Sequence, residues 1–208
     1  MRGVIFMRWF ACFILLLVPA STFADGIKTL ADGEILRGNF VQERLLQGFD
    51  APLRSEGSFV LAPGMGLIWR VEKPFAITTL MTDRGLAQQS DGTTTLNLPA
   101  SRAPFMAGLY DMLTGALAGD WSGLERDFTL EKSGGADIWH LRLVPRKDAS
   151  TASMPIVEIR VTGADFVQSV EIEKQGGDID KLSFADQRRL TGPLAADELT
   201  LLDSVGGP

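Results

Sequence analysis

The feature that most constrains this chain is a two-residue hydrophobic repeat that returns in segment after segment. In Leu67-Ile68-Trp69-Arg70-Val71-Glu72, residues 67, 69 and 71 share one side, and Arg70 and Glu72 take the other. Trp139, Leu141 and Leu143 alternate with His140 and Arg142, and Val157, Ile159 and Val161 alternate with Glu158 and Arg160. Phe128 and Leu130 interleave with Thr129 and Glu131, and Val170 and Ile172 with Glu171 and Glu173. Successive side chains of a strand point to opposite faces, so this pattern predicts antiparallel strands with one dry and one wet face. The separators are turn-formers: Ala62-Pro63-Gly64-Met65-Gly66, Glu72-Lys73-Pro74, Ser90-Asp91-Gly92, Ser133-Gly134-Gly135 and Gln175-Gly176-Gly177-Asp178. Short strands with such punctuation predict a sandwich or barrel, here of roughly ten strands between Ile35 and Leu201.

Two stretches break the repeat. Residues 25–32 suit a short helix beside the first strand. After Pro104, the residues Phe105, Met106, Leu109, Met112, Leu113, Ala116 and Leu117 recur at helical spacing, and Gly119 offers a stop. That helix is apolar over more than half its circumference and must bury itself, most simply on the concave face of the sheet. It reads either as a movable lid or as an ordinary core helix closing a barrel end. No long linker or internal repeat interrupts the strands, which predicts one domain over residues 25–208.

Residues 1–24 read as a cleavable secretory leader. Arg2 and Arg8 precede the apolar run Trp9 to Val18, and Thr22 and Ala24 stand at −3 and −1 of a cut before Asp25. Ten apolar residues fall short of the roughly 20 that span a bilayer. The leader carries two of the 20 basic residues, none of the 26 acidic ones, and Cys12, the only cysteine. The mature chain is therefore expected to be exported, free of cysteine and more acidic than the full chain's net charge of −6. An acidic balance excludes nucleic acid as a partner class.

Catalytic machinery is missing from this reading. With one His and no mature Cys, neither a zinc site nor a thiol nucleophile can be assembled, and no Gly-x-Ser-x-Gly elbow is present. His140 falls on the wet side of its strand. Gly64-Met65-Gly66 is a turn, not a dinucleotide loop. Asp178 and Asp180, flanking Ile179, make a poor calcium site. Glu43, Arg44, Arg188 and Arg189 read as solvated strand positions. The expectation is a non-enzyme, with no cofactor and no metal.

The order of motifs then becomes informative. Asn39-Phe40-Val41-Gln42-Glu43 begins one strand, Glu56-Gly57-Ser58-Phe59 the next, and Leu67-Ile68-Trp69 is followed by Lys73-Pro74-Phe75. Pro104-Phe105-Met106 opens the mid-chain helix, Asp120-Trp121 follows it, and Asp186-Gln187-Arg188 comes late. In order and spacing this resembles the periplasmic outer-membrane lipoprotein carriers (LolA-like), across most of the mature chain. The resemblance implies an unclosed antiparallel barrel, mainly β with helices, lidded by helices over an apolar cavity for acyl chains. One departure stands out: Pro63 to Gly66 occupy the turn where the family usually carries an arginine that controls the lid, and no basic residue precedes Arg70.

The resulting expectation is a periplasmic carrier that binds the acyl chains of a lipoprotein, or a related lipid, and shuttles it towards the outer membrane. Its partners would be that cargo, an inner-membrane loading complex and an outer-membrane acceptor. Alternation places Phe40, Phe59, Leu61, Leu67, Trp69, Val71, Trp139, Leu141, Leu143, Val157 and Ile159 on the cavity wall. Phe105, Met106, Leu109, Met112 and Leu113 would form the lid. Two other readings stay open: a structural or assembly domain of the envelope, and a carrier of a different lipid such as a polyene or glycolipid.

Overall fold

The computed structural model describes residues 29–31, 33–102, 114–135, 137–146 and 155–206. Residues 1–24, expected as the leader, and the expected lid positions Phe105, Met106, Leu109, Met112 and Leu113 lie outside the described residues. Eleven strands join in one antiparallel sheet. They are β1 (Glu34–Leu45), β2 (Leu53–Ala62), β3 (Gly66–Lys73), β4 (Ile77–Thr82), β5 (Gly85–Ser90) and β6 (Thr93–Pro99), then β7 (Phe128–Gly134), β8 (Trp139–Pro145), β9 (Ile156–Gly163), β10 (Val167–Lys174) and β11 (Ile179–Thr191). Residues 114–118 are helical (α1), and α2 spans Ala196–Asp203.

The spatial order is β6-β5-β4-β3-β2-β1-β11-β10-β9-β8-β7. Two meanders are thus joined by the first strand lying against the last, with Phe40 opposite Phe184 and Arg44 opposite Asp180. Edges β6 and β7 do not pair with each other, so the sheet is not a closed barrel. It is nonetheless rolled. Trp69 on β3 and Leu143 on β8 are six strand positions apart, which would separate them by about 29 Å in a flat sheet. Both line one cavity.

Local chemistry accounts for the tight connections. Asp91 (φ 50°) and Gly92 (φ 75°) form the two-residue turn between β5 and β6, a conformation this Asp-Gly pair tolerates well. Helix α1 ends where Gly119 adopts φ 78°. The Asp120 N–H then donates to the Gly115 carbonyl at 2.8 Å and the Gly119 N–H to Ala116 at 3.2 Å, the paired bonds of a Schellman ending. The Leu30 N–H donates to the Ala118 carbonyl at 2.8 Å, tying the start of the described chain to this helix end.

Both faces of the β1–β5 half are covered. Inward residues Leu36, Phe40, Phe59, Leu61 and Leu67 pack with Leu117 of α1. Outward residues Ile35, Val60, Ala62, Ile68, Leu80 and Ala87 pack under Leu194, Leu202 and Val205, in and around α2. The strands therefore do not run on to Leu201 as expected; β11 ends at Thr191 and the chain turns at Gly192-Pro193 into α2. Helix α2 is pinned at both ends. Arg37 on β1 donates two bonds to Glu198, at 2.5 and 2.7 Å. Arg84 donates to the Leu202 and Val205 carbonyls, at 2.8 and 3.2 Å.

The outer face of the β7–β11 half carries charge instead. Arg142 bridges Glu131 and Glu158, while Arg160 bridges Glu158, Glu171 and Glu173, and Lys181 meets Glu171. Glu158, only 8% exposed, is held ionised below the usual carboxylate range by its hydrogen bond from Arg142, against the opposing effect of burial.

Candidate functional site

Trp69 is the hub of the concave face. Its ring stacks on Phe40 with centroids 3.8 Å apart, lies 6.0 Å from Phe59, and meets the edge of Phe184 at 6.2 Å. Phe59 also makes an edge contact with Phe184 at 5.6 Å. This aromatic cluster bridges β1, β2, β3 and β11, where the two meanders join.

Beside it is a cavity of about 80 Å³. Its sheet wall is Leu143, Ile159, Val161, Val170, Ile172, Leu182, Phe184 and Trp69, and its cover is Ala116 and Leu117 of α1 with Trp121, Leu124 and Val167. No polar atom reaches its surface. A void of this kind has nothing to offer water, which needs two to four polar partners, so it stays dry and favours carbon. The wall and the cover differ in how they are fixed. The wall residues, and Val167 of β10, sit in strands paired on both sides, whereas Ala116, Leu117, Trp121 and Leu124 belong to the connection between the edge strands β6 and β7.

Of the residues expected on the inward face, Trp69, Leu143 and Ile159 line this cavity. Phe40, Phe59, Leu61 and Leu67 are buried under α1 in the adjoining cluster, with Val71 half-buried against it. Trp139 and Leu141 are buried in the neighbouring cluster of β7–β10, where the Trp139 indole donates to the Ala164 carbonyl at 2.6 Å. Val157 is a correction: it is 43% exposed and faces outward. The ladder between β9 and β10 shifts there, with Glu173 opposite Glu158 but Lys174 opposite Ile156. Val157 is the extra residue of a β-bulge, which reverses its side.

Sequence reasoning passed over Leu182 and Phe184 on β11, and Trp121 and Leu124 after α1. For the first two the signal was present, since Leu182 and Phe184 alternate with Lys181 and Ser183. The inward apolar surface also continues beyond the cavity. Trp69, Val71, Thr79 and Ile77 share the inner face through their cross-strand pairing, as do Leu53 on β2 and Leu96 on β6. Leu53, Ile77 and Leu96 are 58%, 38% and 41% exposed.

The two aspartates considered for a cation are both engaged. Asp178 accepts the Gln47 backbone N–H at 2.9 Å, and Asp180, 7% exposed, is paired with Arg44 and Lys174. Among the described residues no group of three or more His, Cys, Asp or Glu side chains is placed to hold a metal. His140 is exposed on the outer side of β8, 3.2 Å from the Thr162 hydroxyl.

Several solved structures match this chain at low identity. A LolA superfamily protein of Nitrosomonas europaea is 12% identical, with a TM-score of 0.40, covering 84% of this chain and 93% of that one. A DUF1329 family protein of Desulfovibrio piger is 10% identical, with a TM-score of 0.42, over 81% and 92%. MucB, from the MucA/MucB complex of Pseudomonas aeruginosa, is 14% identical, with a TM-score of 0.39, over 80% of this chain and 55% of that one. No curated protein matches the sequence significantly. The family profile described as outer membrane lipoprotein carrier protein LolA-like matches residues 19–197. With nearly the whole chain so matched, the protein belongs to the LolA-like outer membrane lipoprotein carrier family.

Proposed function

We propose that this protein is an exported carrier that takes up the acyl chains of a lipoprotein, or of a related lipid, on its concave face and delivers them towards the outer membrane. The observation that carries this reading is the dry cavity between the rolled sheet and the α1 connection, bordered by an apolar inner face that stays partly exposed. Each methylene withdrawn from water gains about 0.8 kcal/mol, so a sixteen-carbon chain represents roughly 12 kcal/mol that a bare lipid forfeits in water. A soluble greasy surface removes most of that barrier without any covalent chemistry. Loading and receiving would fall to membrane partners on either side.

The cavity as it stands is smaller than any such chain. At about 80 Å³ it is near half the ~150 Å³ void that admits one benzene. Uptake therefore requires one wall to move, and the sheet wall would have to break ladder hydrogen bonds to do so. The α1 cover would not. Opening it extends the cavity onto Val71 of β3 and its cross-strand partner Ile77 of β4, which continue the apolar inner face.

The test is solvent extraction of the protein purified from its own compartment, followed by mass spectrometry and titration of the emptied protein with an acyl probe. A near-stoichiometric acyl lipid, and a change in Trp69 fluorescence that Trp69→Phe removes, are expected. No extracted lipid together with an unchanged spectrum at saturating probe would refute the carrier reading and favour a filled structural core.

A further inference from the structure

We propose that Arg44 and Lys174 form an anion site for the headgroup of the acylated ligand whose chain occupies the concave face; this rests on the acyl-binding reading above. Between residues 39 and 45, β1 pairs with β11 without interruption, placing Phe40 opposite Phe184, Gln42 opposite Leu182 and Arg44 opposite Asp180. Leu182 and Phe184 line the cavity, so Asp180, two residues from Leu182, is on the same face about 7 Å further along the strand. Across β10, Ile172 is opposite Asp180 and also lines the cavity. Arg44, Asp180 and Lys174 thus sit on the inner surface where the greasy wall ends.

Two cations share one carboxylate there. Asp180 is 7% exposed and is shared by two cations, accepting from Arg44 Nε at 3.1 Å and from Lys174 Nζ at 2.5 Å. On the outer face of β7–β10, by contrast, Arg142 meets two carboxylates and Arg160 three. Only the Nε of Arg44 is spent, so its two terminal nitrogens are unpartnered among the described residues. The Arg44 side chain is 46% exposed and that of Lys174 28%. The buried carboxylate therefore fixes two cations in place, and neither makes an ion pair with a second carboxylate among the described residues.

Two neutral polar groups complete the collar. Gln42 and its cross-strand partner Ser55 face the same side, both half-buried, and neither side chain has a hydrogen bond among the described residues. An amphiphile with its chain over Leu182 and Ile172 would bring its head to this collar. Arg44 presents a planar fork suited to two oxygens of one anion. The ligand class is accordingly an acyl lipid with a singly charged anionic head, carboxylate or phosphodiester.

The experiment compares laurate, lauroyl lysophosphatidylglycerol and the uncharged monolaurin, at about pH 8 where both anions are ionised. Binding is read by calorimetry on wild type, Arg44→Gln and Lys174→Gln. Each variant leaves Asp180 one cationic partner, so the carboxylate is never stranded, and thermal midpoints check the fold. Wild type should bind the two anionic probes roughly tenfold more tightly than monolaurin, with a preference that fades as salt rises. Arg44→Gln should abolish that preference and leave monolaurin unchanged, and Lys174→Gln should reduce it. Equal affinity for charged and uncharged probes in wild type would overturn the proposal, as would equal weakening of all three in the variants. Inorganic phosphate binding as tightly as the lysophospholipid would mark a free-anion site and overturn it too. If no probe binds at all, the acyl-binding reading itself has failed, which is a different result from equal binding.

Discussion

Removing the carboxylate of Glu198 should detach α2 from the outer face, and the size of the effect follows from the geometry. Glu198 is 6% exposed at its side chain and accepts two bonds from Arg37, which is 32% exposed. Its Oε2 also accepts the Ala195 N–H at 3.1 Å, satisfying one orphan donor at the start of the helix. Breaking a buried pair by deleting one partner costs about 3–5 kcal/mol, and the partial exposure of Arg37 discounts this to about 2–3 kcal/mol. For a domain of this size the thermal midpoint of Glu198→Ala should fall by about 4–12 °C. Acid should act through the same group. The Arg37 hydrogen bond, opposed by burial and aided by the Ala195 N–H, holds the Glu198 carboxyl below its ordinary value. Its contribution is therefore fully present above the unfolded carboxylate range of about 4.3 and is lost as pH falls through the lowered folded value. Urea midpoints between pH 6 and pH 3 should consequently fall more steeply for wild type than for Glu198→Gln. A midpoint of Glu198→Ala within experimental error of wild type, or identical acid slopes for wild type and Glu198→Gln, would refute the reasoning.

Two further outcomes are expected. Gly57→Ala should fail to give soluble folded protein, because its Cβ would lie 1.8 Å from the Arg70 carbonyl oxygen and force β3 off β2; expression and circular dichroism decide this. Leu61→Ala, at a fully buried position, should cost about 3–4 kcal/mol. Leu117→Ala borders the existing cavity and should cost under about 2 kcal/mol, because part of its surface has no neighbour to lose. Denaturant midpoints compare the two, and equal costs would show that the α1 cover is packed as firmly as the sheet.

The sheet was legible because its signal is local. Trp69 on β3, Leu143 on β8 and Ile159 on β9 each stand beside a charged residue, so they could be assigned to one surface without knowing which strands pair. What alternation cannot reveal is a change in its own phase. The bulge at Val157 depends on where β10 runs out of partners, a property of two strands at once, and so the repeat assigned that residue to the wrong side. Helix α2 was missed for a different reason. The run Phe59-Val60-Leu61-Ala62 abandons alternation altogether, which is how a strand reads when both its faces are covered. Pro193 followed by Asp197 and Glu198 in a first turn supplied the matching helix start. The mouth cluster of Arg44, Lys174 and Asp180 was invisible in sequence because its members come from three separate strands. Arg44 alone reads as a solvated strand position, and Asp180 as half of a poor cation site with Asp178.

The pairing of β1 with β11 has a consequence for how the chain reaches this structure. Every other ladder joins sequence neighbours and can form as a hairpin on its own, but β1 must wait until the far end of the chain arrives. Bringing Leu45 to Ile179 before anything else has formed would require closing a loop longer by more than a hundred residues than any turn in either meander. The entropic difference is about 3 kcal/mol, and it shrinks as the intervening hairpins shorten the effective loop. Loop entropy therefore favours forming the two hairpin stacks before their union, and the long-range β1–β11 encounter is expected to slow folding. The aromatic hub at Trp69 spans this union, since Phe40 comes from one stack and Phe184 from the other. The cavity wall is complete only when the two halves meet, because Trp69 comes from one stack and the rest of the wall from the other.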